Sequence, residues 1–429
     1  MADLLNEYLS AVTGQMRWKR AVPVVKAELS THLEEQKEEL LAQGLDVQAA
    51  ESEAVKRMGD PVIVGMELDR VHRPRPQWLP LALAVVLACT GAFVRIYDGA
   101  DAARTAVGLL GGIAALFVCY FLDYTFFARH ACVFCFGTLG LAALSFFLSP
   151  QYSGQAYYTS LILPLFPFAY ALGVYALHGR HMITALLLAI PFLALCWLTP
   201  NVTAIGVFLL CGFVTLLIAA RKNWFRTPSR RAVIVLLLLA AAAAAAFGWT
   251  MIPGERVHIM LHPEDDMYGA GFQGCTVRAL LWASQSLGSG ADVAAFDVLN
   301  VFDFPFARLA HGWGLLPASL TVLALLVLFA LCAVKCIRTK NTLGGIVSMS
   351  ILVTLAVPAV LSIAANLGYI LALPGCPFLA GNLHSIVDLA LLGIALSVFR
   401  QEKLPERRSF KMHEPRITWE NSTLTIRFG

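Results

Sequence analysis

Stretches of about twenty apolar residues recur along most of this chain, and nothing constrains its fold more. A run of that length satisfies its backbone polar groups inside hydrocarbon only as a helix. Ten such segments are read near residues 79–96, 105–122, 131–148, 158–177, 182–199, 202–220, 231–251, 315–335, 345–369 and 384–400. The composition agrees, with 58% of residues hydrophobic and 14% charged, where a soluble domain carries about a quarter charged. The expected fold is all-α: a polytopic membrane protein with about ten transmembrane helices over residues 78–400. The net charge of +4 is small, and no nucleic-acid partner is expected. Cys89, Cys119, Cys196, Cys211 and Cys332 lie within apolar runs, the usual place of inert buried thiols. Cys132 and Cys135 have C-x-x-C spacing but no second ligand pair, so no metal site is assigned there.

Residues 1–77 differ sharply from the rest. They are polar and charged, so no cleavable signal peptide is expected. "VPVVKAELSTHLEEQKEELLAQG" has helical periodicity, with Leu29, Leu33, Leu40 and Leu41 on one face, and Gly44 suits a left-handed cap. A third helix is expected from near Asp46 to Gly59. Asp60-Pro61 then supplies an N-cap and a first-turn proline for a fourth, reaching about Val71. "HRPRPQW" reads as a stiff basic linker, and Trp78 as an interfacial anchor. "VVKAELSTHLEEQ" and "AVKRMGDPVIVGMELDRVHRP" make this block resemble the helical prefix domain found before permease-like and division-type membrane proteins of Gram-positive bacteria. That resemblance implies a cytoplasmic sensory or docking module with its own cytoplasmic partner.

Basic residues set the expected orientation. Arg129, Arg180, Arg221, Lys222, Arg226, Arg230, Arg231, Lys335, Arg338 and Lys340 fall in alternate connections. The positive-inside rule then places both termini in the cytoplasm, with a basic tail at 401–429. Residues 252–314 become one large outward loop. "ITWENSTLTIRF" near the end alternates like a short hairpin.

Several motifs in that loop and beyond carry a second resemblance. They are "ERVHIMLHPEDDMYGAGFQ" (255–273), "SLGSG" (286–290), "FDFPFARLAHGWGLL" (302–316) and "NLGYILALPGCPF" (366–378), preceded by "LDYTFFARH" (122–130) and "LTPNVTA" (198–204). In this order they resemble the shape, elongation, division and sporulation family, the FtsW and RodA type of peptidoglycan glycosyltransferase. The resemblance implies ten spans, a lipid II-type lipid-linked disaccharide as substrate, and a transpeptidase partner in the bacterial cell membrane. It places Asp303 on the family's essential acid. A carboxylate there would accept the proton of an attacking sugar hydroxyl, and Phe302 and Phe304 would desolvate it and raise its basicity. Position alone also allows an interfacial Asp that caps the eighth span.

A departing diphosphate needs cations. Arg256, Arg278 and Arg308 are the candidates in the loop, with Gln273 and His311 as further substrate contacts. Glu264, Asp265 and Asp266 make a divalent cation a candidate cofactor. Several positions depart from the family. Asn201 replaces its acid, His311 and Gly312 replace paired glutamates, and Asn382, Leu383, His384 and Ser385 replace a Gly/Ser-rich run. The second outer loop, "SPQYSGQAYYTS", carries no cation. These losses support an alternative, a catalytically degenerate relative acting as a membrane scaffold or regulator. A lipid-linked sugar flippase is weaker still, with Asp123, Asn201, Asn366 and Asp388 as the main pathway candidates.

Overall fold

The computed structural model describes residues 3–19, 21–74, 76–152, 155–199, 201–226, 231, 233–235, 238–239, 254–291, 299, 303–339, 341–379, 383–401, 416–420 and 423–427. The chain separates into two compact units, Met1–Arg75 with Gln401–Gly429 and Pro76–Arg400.

The first unit holds four helices: α1 (Asp3–Gly14), α2 (Val22–Ala42), α3 (Val47–Met58) and α4 (Pro61–His72). Local chemistry sets their ends. The Asp60 carboxylate accepts from the Val62 and Ile63 amides at 2.7 and 3.3 Å, and Pro61 occupies the first turn of α4. Gly44 takes φ +89, as a left-handed cap requires. Tyr8, Leu9, Val12, Met16, Val25, Leu29 and Leu33 form one core, and Leu40 packs with Ala50 and Ala54 in another. Leu41 is only partly buried beside them. An ion pair from Lys37 to Glu51 links α2 to α3, and the Arg17 amide donates to Asp69 of α4 at 2.9 Å. In the tail, strands β3 (Arg416–Glu420) and β4 (Thr423–Arg427) form the antiparallel hairpin that the alternation called for, with Ile417 opposite Ile426.

The second unit is a helical membrane protein. Among the described residues, seven helices are long and apolar enough to cross a bilayer. They are α5 (Trp78–Tyr97), α6 (Ala102–Phe121), α8 (Ala131–Leu148), α12 (Val202–Arg221), α16 (Leu315–Arg338), α17 (Thr342–Ala365) and α18 (Leu383–Arg400). The six-residue α7 (Tyr124–Arg129) links α6 to α8, and a two-residue ladder, β1 (Gln151–Tyr152) with β2 (Gln155–Ala156), follows α8. The segment expected at 158–177 is not one helix. It breaks into α9 (Tyr157–Ile162) and α10 (Leu165–Ala176), because Pro164 has no amide to continue the ladder. Helix α10 is buried all round from Phe166 to Val174, so it needs no polar face. Helix α11 (Met182–Leu198) follows it. The segment expected at 345–369 stops at Ala365. The one expected at 231–251 lies almost wholly outside the described residues, as do Phe302, Asn382 and most of the tail.

Among the described helices, α6 and α18 pack most extensively. A Cβ on Gly112 would meet Leu389 Cδ1 at 2.7 Å, so the glycine lets the helices approach until side chains interlock. Among the described residues, the stretch 254–314 holds three short α-helices: α13 (Gly254–Leu261), α14 (Phe272–Ala283) and α15 (Pro305–Trp313). Its "SLGSG" and "HGWGLL" stretches are one structural piece. Gly288 and Gly290 amides donate to the Trp313 and His311 carbonyls at 3.0 and 2.7 Å, and Leu315 and Leu316 amides donate back to Gln285 and Ser286 at 2.9 and 3.1 Å. Gly314 permits this at φ +111, where a Cβ would lie 2.6 Å from the Ser286 carbonyl.

Candidate functional site

The segment carrying Asp303 is held by one buried amide. The Asn366 side chain, at the C-terminal cap of α17, accepts from the Phe306 and Ala307 amides at 3.0 and 2.9 Å. It thus fills the capping role that a side chain at the start of α15 would otherwise perform. Its amide nitrogen donates to the Asp303 carbonyl at 3.1 Å and the Ser362 carbonyl at 2.8 Å. Phe304 is buried with Val277, Leu280, Ala307 and Ala365. Burial pushes the Asp303 carboxyl up to about 6, well above the ordinary range.

Beside this segment lies a cavity of about 1130 Å³. Ile370 and Leu373 pack on the Phe304 cluster and also line the cavity. Its apolar wall continues through Leu163, Val207, Ile259 and Met260, and its polar lining includes Arg95, Tyr157, Asn201, Arg256, Gln273, His384 and Asp388. His384 and Asp388 are one turn apart on α18. The His384 ring nitrogen Nε2 is 3.4 Å from Ser160 Oγ, and its ring meets Tyr157 edge-on at 6.0 Å. The Phe378 amide, at φ +69, donates to the Asp388 carboxylate. Asn201 caps α12 by accepting from the Ala204 amide at 2.9 Å while lining the cavity.

The expected site residues therefore divide. Arg256 and Gln273 share the cavity; Asp303, Arg278, Arg308 and His311 are not among the residues that line it. Arg278 staples the loop together, donating to Glu264 at 3.2 Å and the Leu261 carbonyl at 3.1 Å and lying over the Tyr369 ring. Arg308 is buried in an ion pair with Asp98. His311 is buried in the piece formed with the "SLGSG" stretch. The acidic trio is spent locally: Asp265 meets His258 at 2.7 Å, Glu264 meets Arg278, and Asp266 accepts from the Ala270 amide at 2.7 Å. Among the described residues no cluster has the make-up of a metal site.

Sequence reasoning missed Arg95 as a functional candidate. Its signal was available, because it is the first charge in an α5 that is otherwise apolar from Trp78. His384 was marked only as a departure from a motif, and Asp388 only as a pathway candidate.

A polytopic all-α bundle with a helical loop folded beside a polar cavity is thus the class of protein defined here. Solved structures share this fold. One, described as structural coordination of polymerization and crosslinking by a peptidoglycan synthase complex, is 21% identical, with a TM-score of 0.59, and the match covers 76% of this chain and 98% of that one. The rod shape determining protein RodA of Thermus thermophilus is 18% identical with a TM-score of 0.52, covering 76% of this chain and 97% of that one. A substituted form of the same protein matches equally, at 18% and 0.52. No family model matches the chain, and no curated protein matches its sequence. The membrane unit has the RodA fold, the one its motifs called for.

Proposed function

We propose that this chain is a divergent member of the FtsW and RodA family that polymerises a lipid II-type disaccharide at the outer face of the bacterial cell membrane. The observation that carries this reading is the half-buried Asp303, clamped through its backbone by Asn366 beside an amphipathic cavity. An apolar wall suits a polyprenyl chain, and Arg95 and Arg256 suit the diphosphate. The acceptor hydroxyl oxygen forms a bond to the anomeric carbon of the donor. The bond from that carbon to the diphosphate breaks, and the electron pair leaves with the phosphate oxygen. The hydroxyl proton passes to the Asp303 carboxylate. With its pKa near 6, that acid is mostly ionised at neutral pH yet more basic than a solvated one.

In this reading both termini are cytoplasmic and residues 252–314 face outward. Residues 1–77 form a prefix module with a cytoplasmic partner, and a transpeptidase cross-links the product. Purified protein given lipid-linked disaccharide and a labelled acceptor should make polymer, and Asp303→Ala should not.

One observation favours a second reading, a scaffold without activity. Two of the three loop arginines are engaged in the protein's own contacts, and Asp303 does not itself line the cavity. The scaffold reading expects Asp303→Ala to leave cell shape unchanged, while deletion of residues 1–75 alters it.

A further inference from the structure

Helix α4 has an apolar stripe on the side facing away from its own core. Val64 and Leu68 pack inward on the α1–α2 core. Val62, Ile63 and Met66 are 45%, 60% and 62% exposed. At 3.6 residues per turn these three share one outward face with Arg70. A small helical bundle gains nothing from leaving that stripe in water.

What covers it follows from connectivity and charge. Residues 73–77 separate α4 from Trp78, where the first membrane span begins. Fully extended, this linker reaches about 20 Å, and Pro74 and Pro76 stiffen it. The stripe is therefore tethered close to a bilayer surface. Arg70, Arg73 and Arg75 follow it with no acid between them and Trp78. The nearby acids are Asp60, whose carboxylate caps α4 on the Val62 and Ile63 amides, Glu67, at the edge of the stripe, and Asp69, which holds the Arg17 amide.

We propose that the Val62–Ile63–Met66 stripe of α4 docks on the anionic lipid surface of the membrane the chain itself spans. The three side chains enter the headgroup boundary, and Arg70 and Arg73 meet lipid phosphates. The first unit is then a module whose seat depends on lipid charge, independent of whether the membrane unit polymerises sugar.

The test uses the full chain in nanodiscs of phosphatidylcholine, with and without phosphatidylglycerol. A genetically encoded fluorescent residue at position 66 is compared with one at position 34, on the acidic face of α2, using lipids brominated in the acyl chain. Quenching at 66 should exceed that at 34 several-fold in anionic discs and fall with added salt. Ile63→Gln with Met66→Gln should remove the protection from hydrogen exchange that anionic discs give α4, while α1–α3 keep theirs. Equal quenching at 66 and 34 overturns the proposal. So does emission at 66 that is blue-shifted without lipid quenching and relaxes on dilution in detergent, which would mark a second copy as the occupant.

Discussion

Arg95 and Arg308 are guanidiniums in the same part of the membrane unit, and they are used differently. Arg308 closes on Asp98, its side chain only 7% exposed, whereas Arg95, three residues before Asp98 in the chain, lines the cavity. The same contrast holds for the regions they belong to. Along 303–316 the backbone groups and Arg308 hold a loop in place, through Asn366, the Asp98 pair and the backbone exchange with 285–290. Around the cavity, Arg95, Arg256, His384 and Asp388 belong to the lining, His384 also reaching Ser160 and Asp388 the Phe378 amide. A cation near an essential-looking acid in sequence is therefore no guide to which cation meets a ligand.

The largest test of this contrast is Asp303→Ala. If the carboxylate is the base, polymerisation falls by about 10²–10⁴-fold while the purified chain stays monodisperse; unchanged polymer would move the chemistry into the cavity. Arg308→Met should come next, since it strands the partly buried Asp98 without its partner. The expected loss is about 3–5 kcal/mol of stability, read by thermal melting in detergent, and Asp98→Asn added to it should restore much of that. Arg95→Gln should cost less stability than Arg308→Met but raise KM for the lipid-linked donor by about 10–100-fold, the value of a charge-assisted contact. Equal effects of the two arginine substitutions on melting would erase the distinction between the regions. A smaller effect concerns pH. A base must be unprotonated to accept a proton, so turnover should rise with pH through about 6. A limb near the ordinary carboxylate value of about 4 would mean that Asp303 is solvated in the working enzyme. The smallest lies in the first unit, where Asp60→Ala should cost about 1 kcal/mol in the hydrogen-exchange stability of α4 and leave turnover unaltered.

The seven long spans and the caps were legible because their causes are local in sequence. Desolvating a backbone in lipid demands an unbroken apolar run, and Gly44 and Asp60 act on amides within a few residues of themselves. The break at Pro164 had the same local cause and was overlooked only because the run stayed apolar around it. The order of motifs also announced the RodA fold. Which polar residues share a space was not legible. Asn366 clamps amides 59 and 60 residues earlier in the chain, and His384 reaches Ser160 across 224 residues.

The sequence by itself determined that this chain crosses a membrane many times and carries a polar helical unit before the first span, since both follow from the solvation of short segments. Only the tertiary structure decided that Arg308 is structural while Arg95, His384 and Asp388 line a cavity. What a charge meets depends on what the packing of distant helices brings within a few ångströms of it, and in a low-dielectric interior that proximity outweighs anything its chain neighbours impose.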